Sequence, residues 1–182
     1  MLKKLIGTLA VATLIAAPAQ QAAAQLPVGY TDLGVVVGIG GIGEASLALG
    51  GRFERVIKDL PNLGGGTLGI GISVDRYAYS YKNFGYGFDY SYIPIGATGN
   101  YHIKLENKKI DAYVGAGLGY EIISCDYSGI GGSANLCSSS ALYFIGRVGG
   151  RYFFSDKMAL YGDAGAGAAT VNIGVTFKLG GK

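Results

Sequence analysis

From residue 33 onward, apolar side chains recur at every second position in eight separate stretches. The first carries Leu33, Val35, Val37 and Ile39, and the second Leu47, Leu49 and Phe53. The third has Leu68, Ile70, Ile72 and Val74, and the fourth Ile93, Ile95, Ala97, Tyr101 and Ile103. Then come Ala112, Val114, Ala116, Leu118, Tyr120 and Ile122, followed by Leu142, Phe144, Val148 and Tyr152. A weaker seventh holds Leu160, Ala164 and Ala166, and the eighth Val171, Ile173, Val175, Phe177 and Leu179. Side chains alternate faces in a strand and advance by about 100° per residue in a helix, so a period of two sustained eight times predicts an all-β chain.

The interleaved positions decide what each face meets. They hold glycine, tyrosine, threonine and asparagine with sparse charges, and 33 of the 182 residues are glycine. The convex outside of a soluble barrel would call for many Lys and Glu side chains, whereas small residues suit the crowded interior of an eight-stranded barrel. The connections alternate in length. "ENKK" (106–109) and "SDK" (155–157) are short, and "GIGGIGEA", "YKNFGYG" and "CDYSGIGGSANLCSSS" are longer. Ahead of them, "MLKKLIGTLAVATLIAAPAQQAAAQ" has two lysines, an apolar run from Leu5 to Ala17 and a small-residue end. That order predicts a cleavable signal peptide over 1–24, because Pro18 and the glutamines cut the run too short to span a bilayer. The mature part, 25–182, is then one domain. Together these features predict an eight-stranded antiparallel up-and-down transmembrane β-barrel with its apolar face in lipid. The tyrosines of "YAYSYKNFGYGFDYSY" fit a membrane-interface girdle.

At "KIDAYVGAGLGYEI", "FIGRVGGRYFFSDKMALYGDAG" and "VNIGVTFKL" the chain resembles small bacterial outer-membrane barrels of the opacity-protein and OmpA transmembrane-domain type. The resemblance implies residence in the outer-membrane bilayer, insertion by the outer-membrane assembly machinery and both chain ends in the periplasm. It also implies outward loops able to meet a host or other surface ligand. The family usually closes on an aromatic residue, and this chain closes on Phe177 and Leu179 followed by Gly-Gly-Lys. With this orientation the segment 124–140 is the longest outward loop.

Cys125 and Cys137 flank that loop with eleven residues between them. Two cysteines in one loop of an exported chain predict a disulfide. Two free thiols or a metal pair are the rival readings, and the absence of a nearby histidine argues against metal. Removal of Lys3 and Lys4 with the signal peptide leaves 13 basic against 12 acidic side chains, so net charge gives no argument for nucleic acid. No motif points to a cofactor.

The interior parity gathers Arg52, Glu54, Asp75, Lys104, Asp111, Glu121, Arg147, Arg151, Asp163 and Lys178. Counting through the "ENKK" turn sets Lys104 opposite Asp111 and His102 opposite Tyr113. Counting through "SDK" sets Arg151 opposite Tyr161, one step from Asp163. Buried charges must be paired. Arg147, Arg151, Asp163, Glu121, Tyr113, Asp111, Lys104 and His102 are therefore expected to form a network that plugs the lumen, the arginines reaching Asp163, Glu121 or tyrosine hydroxyls through space left by glycines 115, 117, 119 and 149. Outer-membrane lipid-modifying enzymes need a histidine near the outer leaflet, and the single histidine, His102, falls near the opposite rim. A structural or surface-interaction barrel with no enzymatic activity is the leading reading. A narrow porin-like channel is second and a lipid-modifying enzyme third.

Overall fold

The structure is a computed structural model and describes residues 26–42, 45–83, 86–129 and 132–181. The expected signal peptide lies outside the described residues. These residues form eight strands: β1 (Thr31–Ile42), β2 (Ala45–Leu60), β3 (Gly66–Asn83), β4 (Tyr86–Ile103), β5 (Ile110–Gly129), β6 (Gly132–Phe153), β7 (Met158–Ala166) and β8 (Val171–Gly180). Each pairs antiparallel with the next and β8 closes on β1, giving a closed up-and-down barrel. Closure leaves no edge in the barrel wall, as a sheet in hydrocarbon requires.

The alternation sorts the two faces as expected. Leu49 is 64% exposed, Ile173 56%, Leu142 76% and Phe144 82%, while Asp32, Glu54, His102, Asp111 and Arg151 are buried. Apolar outside and charged inside is the inverse of a soluble protein, and it suits a barrel solvated by lipid. The turn registers hold as well: His102 pairs with Tyr113, and Arg151 with Tyr161.

Strand length departs from the sequence reading. β7 and β8 run 9 and 10 residues, about what a tilted strand needs to cross the hydrocarbon. β3 to β6 run 18, 18, 20 and 22 residues. The last rung between β6 and β7 is Gly146 with Ala166, and β2 meets β3 last at Ala48 with Tyr77. Beyond those rungs β3, β4, β5 and β6 continue as an open four-stranded wall. The segment 124–140 is accordingly no loop: it is the ladder of β5 and β6, with Ser124 opposite Ser138 and Gly129 opposite Gly132.

In this wall the polarity of the two faces exchanges. Along β4 the outward set runs Ile95, Ile93, then Ser91 and Asp89, and the inward set runs Asn100, Thr98, then Tyr92, Tyr90 and Phe88. On β3 the outward set passes from Ile72 and Val74 to Ser80 and Lys82, as the inward set passes from Ser73 and Asp75 to Tyr77, Tyr79 and Tyr81. Asp75 and the tyrosines share one parity, so the tyrosine run lines the inner face of the wall. The girdle reading is corrected on that ground. The exchange falls between the row Ile93–Ile122 and the row Ala78–Ser91–Ser124–Ser138, and it marks where the apolar surround ends.

Val148 lies mid-height on the outer face, opposite Val114 and half exposed. Val148→Arg is expected to cost about 2–4 kcal/mol of barrel stability in lipid. The loss reads out as a lower urea midpoint for the folded band, which migrates differently before and after boiling.

Candidate functional site: a plugged lumen under an open aromatic wall

Arg151 is the centre of the lower lumen, near the chain ends. Its side chain enters from β6, and its guanidinium meets three carboxylates carried by three other strands. Nε donates to Asp32 Oδ2 of β1 at 2.9 Å and Nη1 to Asp111 Oδ2 of β5 at 2.7 Å. Nη2 donates to Glu54 Oε2 of β2. His102 completes the layer from β4. Its Nδ1 is 2.9 Å from Asp111 Oδ1 and its Nε2 2.9 Å from Glu54 Oε1. Both ring nitrogens face acceptors, and both donate only when the imidazole is protonated. Tyr30 adds a hydroxyl to Asp32 at 3.2 Å, and Asn100 an amide N–H to Glu54 at 2.7 Å. A guanidinium, an imidazole and three carboxylates thus share one buried layer, with neutral donors taking up further acceptors.

A second layer lies above it. Asp163 Oδ1 accepts from Arg147 Nε at 2.6 Å and Asn172 Nδ2 at 2.8 Å. Its Oδ2 accepts from Tyr113 at 3.1 Å and from Tyr161. Arg52 donates to Asp75 at 2.8 Å and to the Asn172 side-chain oxygen at 3.0 Å. The two layers meet at the tyrosines, whose hydroxyls are 2.8 Å apart and whose ring centres each lie 5.7 Å from the Arg151 guanidinium. Between the layers remains a cavity of about 60 Å³, room for a few waters.

Both ends of the plug are capped. Below, Leu26, Tyr30 and Val56 pack together with Phe153, and the chain before β1 is tied down by Gly29 N–H to the Val56 carbonyl at 2.9 Å. Above, Tyr77 packs on Ala48 and Ala169. Tyr77 is fully buried, and its hydroxyl has no partner among the described residues.

Of the residues the sequence assigns to the lumen, Arg147 and Tyr113 meet Asp163, and Arg151 and His102 meet Asp111. β4 ends at Ile103, so the alternation that aimed Lys104 inward stops; Lys104 is exposed beside Gly65 of the β2–β3 turn. Arg151 takes Asp32, Glu54 and Asp111 in place of Asp163 or Glu121. Glu121 stands above the network, half-buried, and its Oε1 has no partner among the described residues. The glycines make room for other groups than arginine. A Cβ at Gly119 would lie 2.1 Å from the Tyr143 ring, and one at Gly149 would lie 2.6 Å from Asp163 Cβ. Asp32 was missed because the first stretch was read from Leu33; its parity, one residue earlier, was the available signal.

No family model and no curated protein matches this chain. Among solved structures, the N-terminal β-barrel domain of Pseudomonas aeruginosa OprF aligns over 84% of this chain and 98% of its own, at 14% identity and a TM-score of 0.51. Ail, the attachment invasion locus protein of Yersinia pestis, solved with the heparin analogue sucrose octasulfate, aligns over 84% and 96%, at 13% identity and a TM-score of 0.51. The fold is that of the small eight-stranded outer-membrane barrels.

Removing one partner from a buried charge cluster is far worse than never building it. Arg151→Met, which takes the guanidinium from Asp32, Glu54 and Asp111 together, is expected to cost about 3–5 kcal/mol. Asp163→Ala, which strands Arg147, should fall in the same range. Urea unfolding followed by far-ultraviolet circular dichroism measures both. A Lys104→Ala control should leave the midpoint in place.

Proposed function

We propose that this chain is an exported outer-membrane barrel that serves as a surface-interaction scaffold. Its lumen is plugged and its open β3–β6 wall is held outside the bilayer. The observation that carries the reading is the combination of the two. Five strands contribute to the Arg151 layer, which crosses the lumen from wall to wall. The four longest strands, β3 to β6, run past their barrel neighbours at the same end. Connections at 61–65, 104–109 and 154–157 share the end that holds both chain termini, and the wall stands at the other. With the termini periplasmic, the wall is extracellular and contacts there need no transport through the barrel. Cleavage of residues 1–24 and insertion by the outer-membrane assembly machinery belong to the same reading.

The enzymatic alternative loses its key residue. His102 is fully buried among Asp111 and Glu54 at the periplasmic end, away from any outer-leaflet substrate. The channel alternative requires a continuous water path, against which the two charge layers and the Tyr77 floor stand. Planar-bilayer recording of refolded protein is the test. Wild type should give no steady conductance. Combined replacement of Arg147, Arg151, Asp163, Asp111, Glu54 and Asp32 by alanine or serine should open one where the barrel still assembles. Steady conduction by wild type would make the chain a channel.

We also propose that Cys125 and Cys137 are disulfide-bonded. They sit directly opposite one another in the β5–β6 ladder, in the row that continues through Tyr90 and Tyr79, and Cys125 is buried. The bond would tie the wall's two longest strands together where no barrel neighbour supports β6. Intact mass after alkylation is expected to show no added group before reduction and two after it, with barrel gel mobility unchanged.

The Ail structure holds a sulfated sugar analogue. The wall of this chain differs in charge from a polyanion site: positions 78–91 and 121–140 contain Lys82 against Asp89, Glu121 and Asp126, a net charge of −2.

A further inference from the structure

We infer that the inner face of the β3–β6 wall is a binding site for a neutral carbohydrate. The inference rests on the outward placement of the wall proposed above and names what the wall takes.

The argument begins with the exchange of polarity. Below the boundary row, inward positions are polar because they face one another across a filled lumen. Above it, β7 and β8 have ended; at the foot Tyr79 and Tyr92 pack against the Ala48–Tyr77–Ala169 cap, and higher up no strand stands opposite among the described residues. Yet this is where the chain places its aromatic residues. Tyr81 and Tyr86 are 48% and 47% exposed, and Tyr79, Phe88, Tyr90 and Tyr127 are half-buried. Serine, aspartate and lysine occupy the opposite face, so water alone does not account for the distribution. A contiguous exposed aromatic face rimmed by polar residues marks an interaction site.

The chemistry of the face selects the occupant. The rings are ordered: Phe88 and Tyr90 lie 6.4 Å apart at 22°, Tyr90 and Tyr92 lie 6.4 Å apart at 13°, and Tyr86 and Tyr127 lie 6.2 Å apart at 25°. The two β4 pairs follow the two-residue repeat of a strand, Phe88 meets Tyr127 at 53°, and β3 runs six residues past Tyr77 beside them, about 20 Å. All of these rings but Phe88 carry a hydroxyl. A purely apolar partner would strip those hydroxyls of water without replacing it, a penalty it cannot recover. A sugar offers both needed surfaces: its C–H faces lie on rings, and its hydroxyls exchange hydrogen bonds with phenols.

Two further groups stand at the foot of the face. Glu121 is opposite Pro94, one row below Tyr92 and Ile123, and its Oε1 lacks a partner among the described residues. The Tyr77 hydroxyl is likewise buried without one. A carboxylate accepts hydrogen bonds from sugar hydroxyls and repels sulfate, phosphate and uronate. Lys82, Asp89 and Asp126 lie on the opposite face, so Glu121 sets the charge of the inner one. The ligand is therefore an uncharged glycan rather than a sulfated one, a phosphorylated lipid headgroup or nucleic acid.

The test uses the mature protein refolded in detergent micelles on a printed array of neutral and sulfated glycans. The strongest neutral hit is then titrated by saturation-transfer NMR. Neutral glycans should be retained and sulfated ones passed over. Tyr90→Ala should weaken the hit about tenfold or more, and Glu121→Gln by about tenfold, as the loss of a stacking ring and of a charged acceptor predict. Unchanged heat-modified gel mobility confirms that both variants are folded. An array with no neutral hit, a preference for sulfated glycans, or binding indifferent to Tyr90→Ala overturns the inference. Protein ligands captured at the free edges of β3 and β6 without any glycan would overturn it too, since strand pairing uses backbone and survives Tyr90→Ala. An epitope inserted between residues 84 and 85 and probed on intact cells separates the two readings. A silent epitope sinks the outward placement, whereas a displayed epitope with a blank array sinks the carbohydrate alone.

Discussion

A lumen enclosed by eight strands is only wide enough to be filled by side chains, so every charge that alternation sends inward must find its opposite across the barrel. Arg151 meets that requirement for the lower half. One planar guanidinium presents five N–H donors in fixed directions, and here they reach carboxylates on β1, β2 and β5 at once. A lysine at this position would supply a point charge with no comparable fork. Because Asp32 and Glu54 lie on strands that do not pair with β6, Arg151 ties the wall across its diameter, which the ladder of backbone hydrogen bonds cannot do. The hub also fixes the register: a one-residue slip of β6 would turn Arg151 into lipid and take the guanidinium from three buried carboxylates.

The upper half of the molecule obeys a different constraint with the same period. Where lipid surrounds the strands, the outward set is apolar. Where β3 to β6 leave it, the outward set becomes Ser91, Ser124, Asp89 and Asp126. The inward set responds in turn, from packed polar groups to exposed rings, because the opposite wall has stopped. The boundary of the apolar surround is thus written twice on each long strand, once per face, and the rows agree across β3, β4 and β5.

Much of this was legible in the sequence. The eight stretches, the face of each residue and the pairings across the two short turns follow from period two and from counting through turns, which need only local geometry. The partners of Arg151 were not legible in that way. Asp32 and Glu54 lie 119 and 97 positions away, on strands that do not pair with β6, and contacts across a lumen depend on shear and tilt that no local count supplies. Lys104 failed at an element boundary, where alternation is an unsafe guide because the strand stops. The tyrosine face is a different kind of miss. Tyr77, Tyr79 and Tyr81 share the parity of Asp75, which had been assigned inward, so the information was present. Reading the run as a composition, tyrosines at a strand end, concealed its phase.

Phase also explains why plug and wall can coexist on the same strands without interfering. On β5, Asp111 and Tyr113 serve the charge layers, and Tyr127 serves the aromatic face, all at odd positions on one continuous strand. Between them the first three inward positions are Gly115, Gly117 and Gly119, and Gly115 and Gly119 let Asn100 and Tyr143 cover β5 from neighbouring strands. The covered stretch separates a region whose charges cannot move without breaking the cluster from a region of part-exposed rings. A substitution in the wall above Tyr79 and Tyr92 therefore removes packing from the part-exposed face, whereas one in the lower lumen exposes uncompensated charge. The strands closed into the barrel set the orientation of the wall, and the open part can change its side chains while that orientation stays fixed.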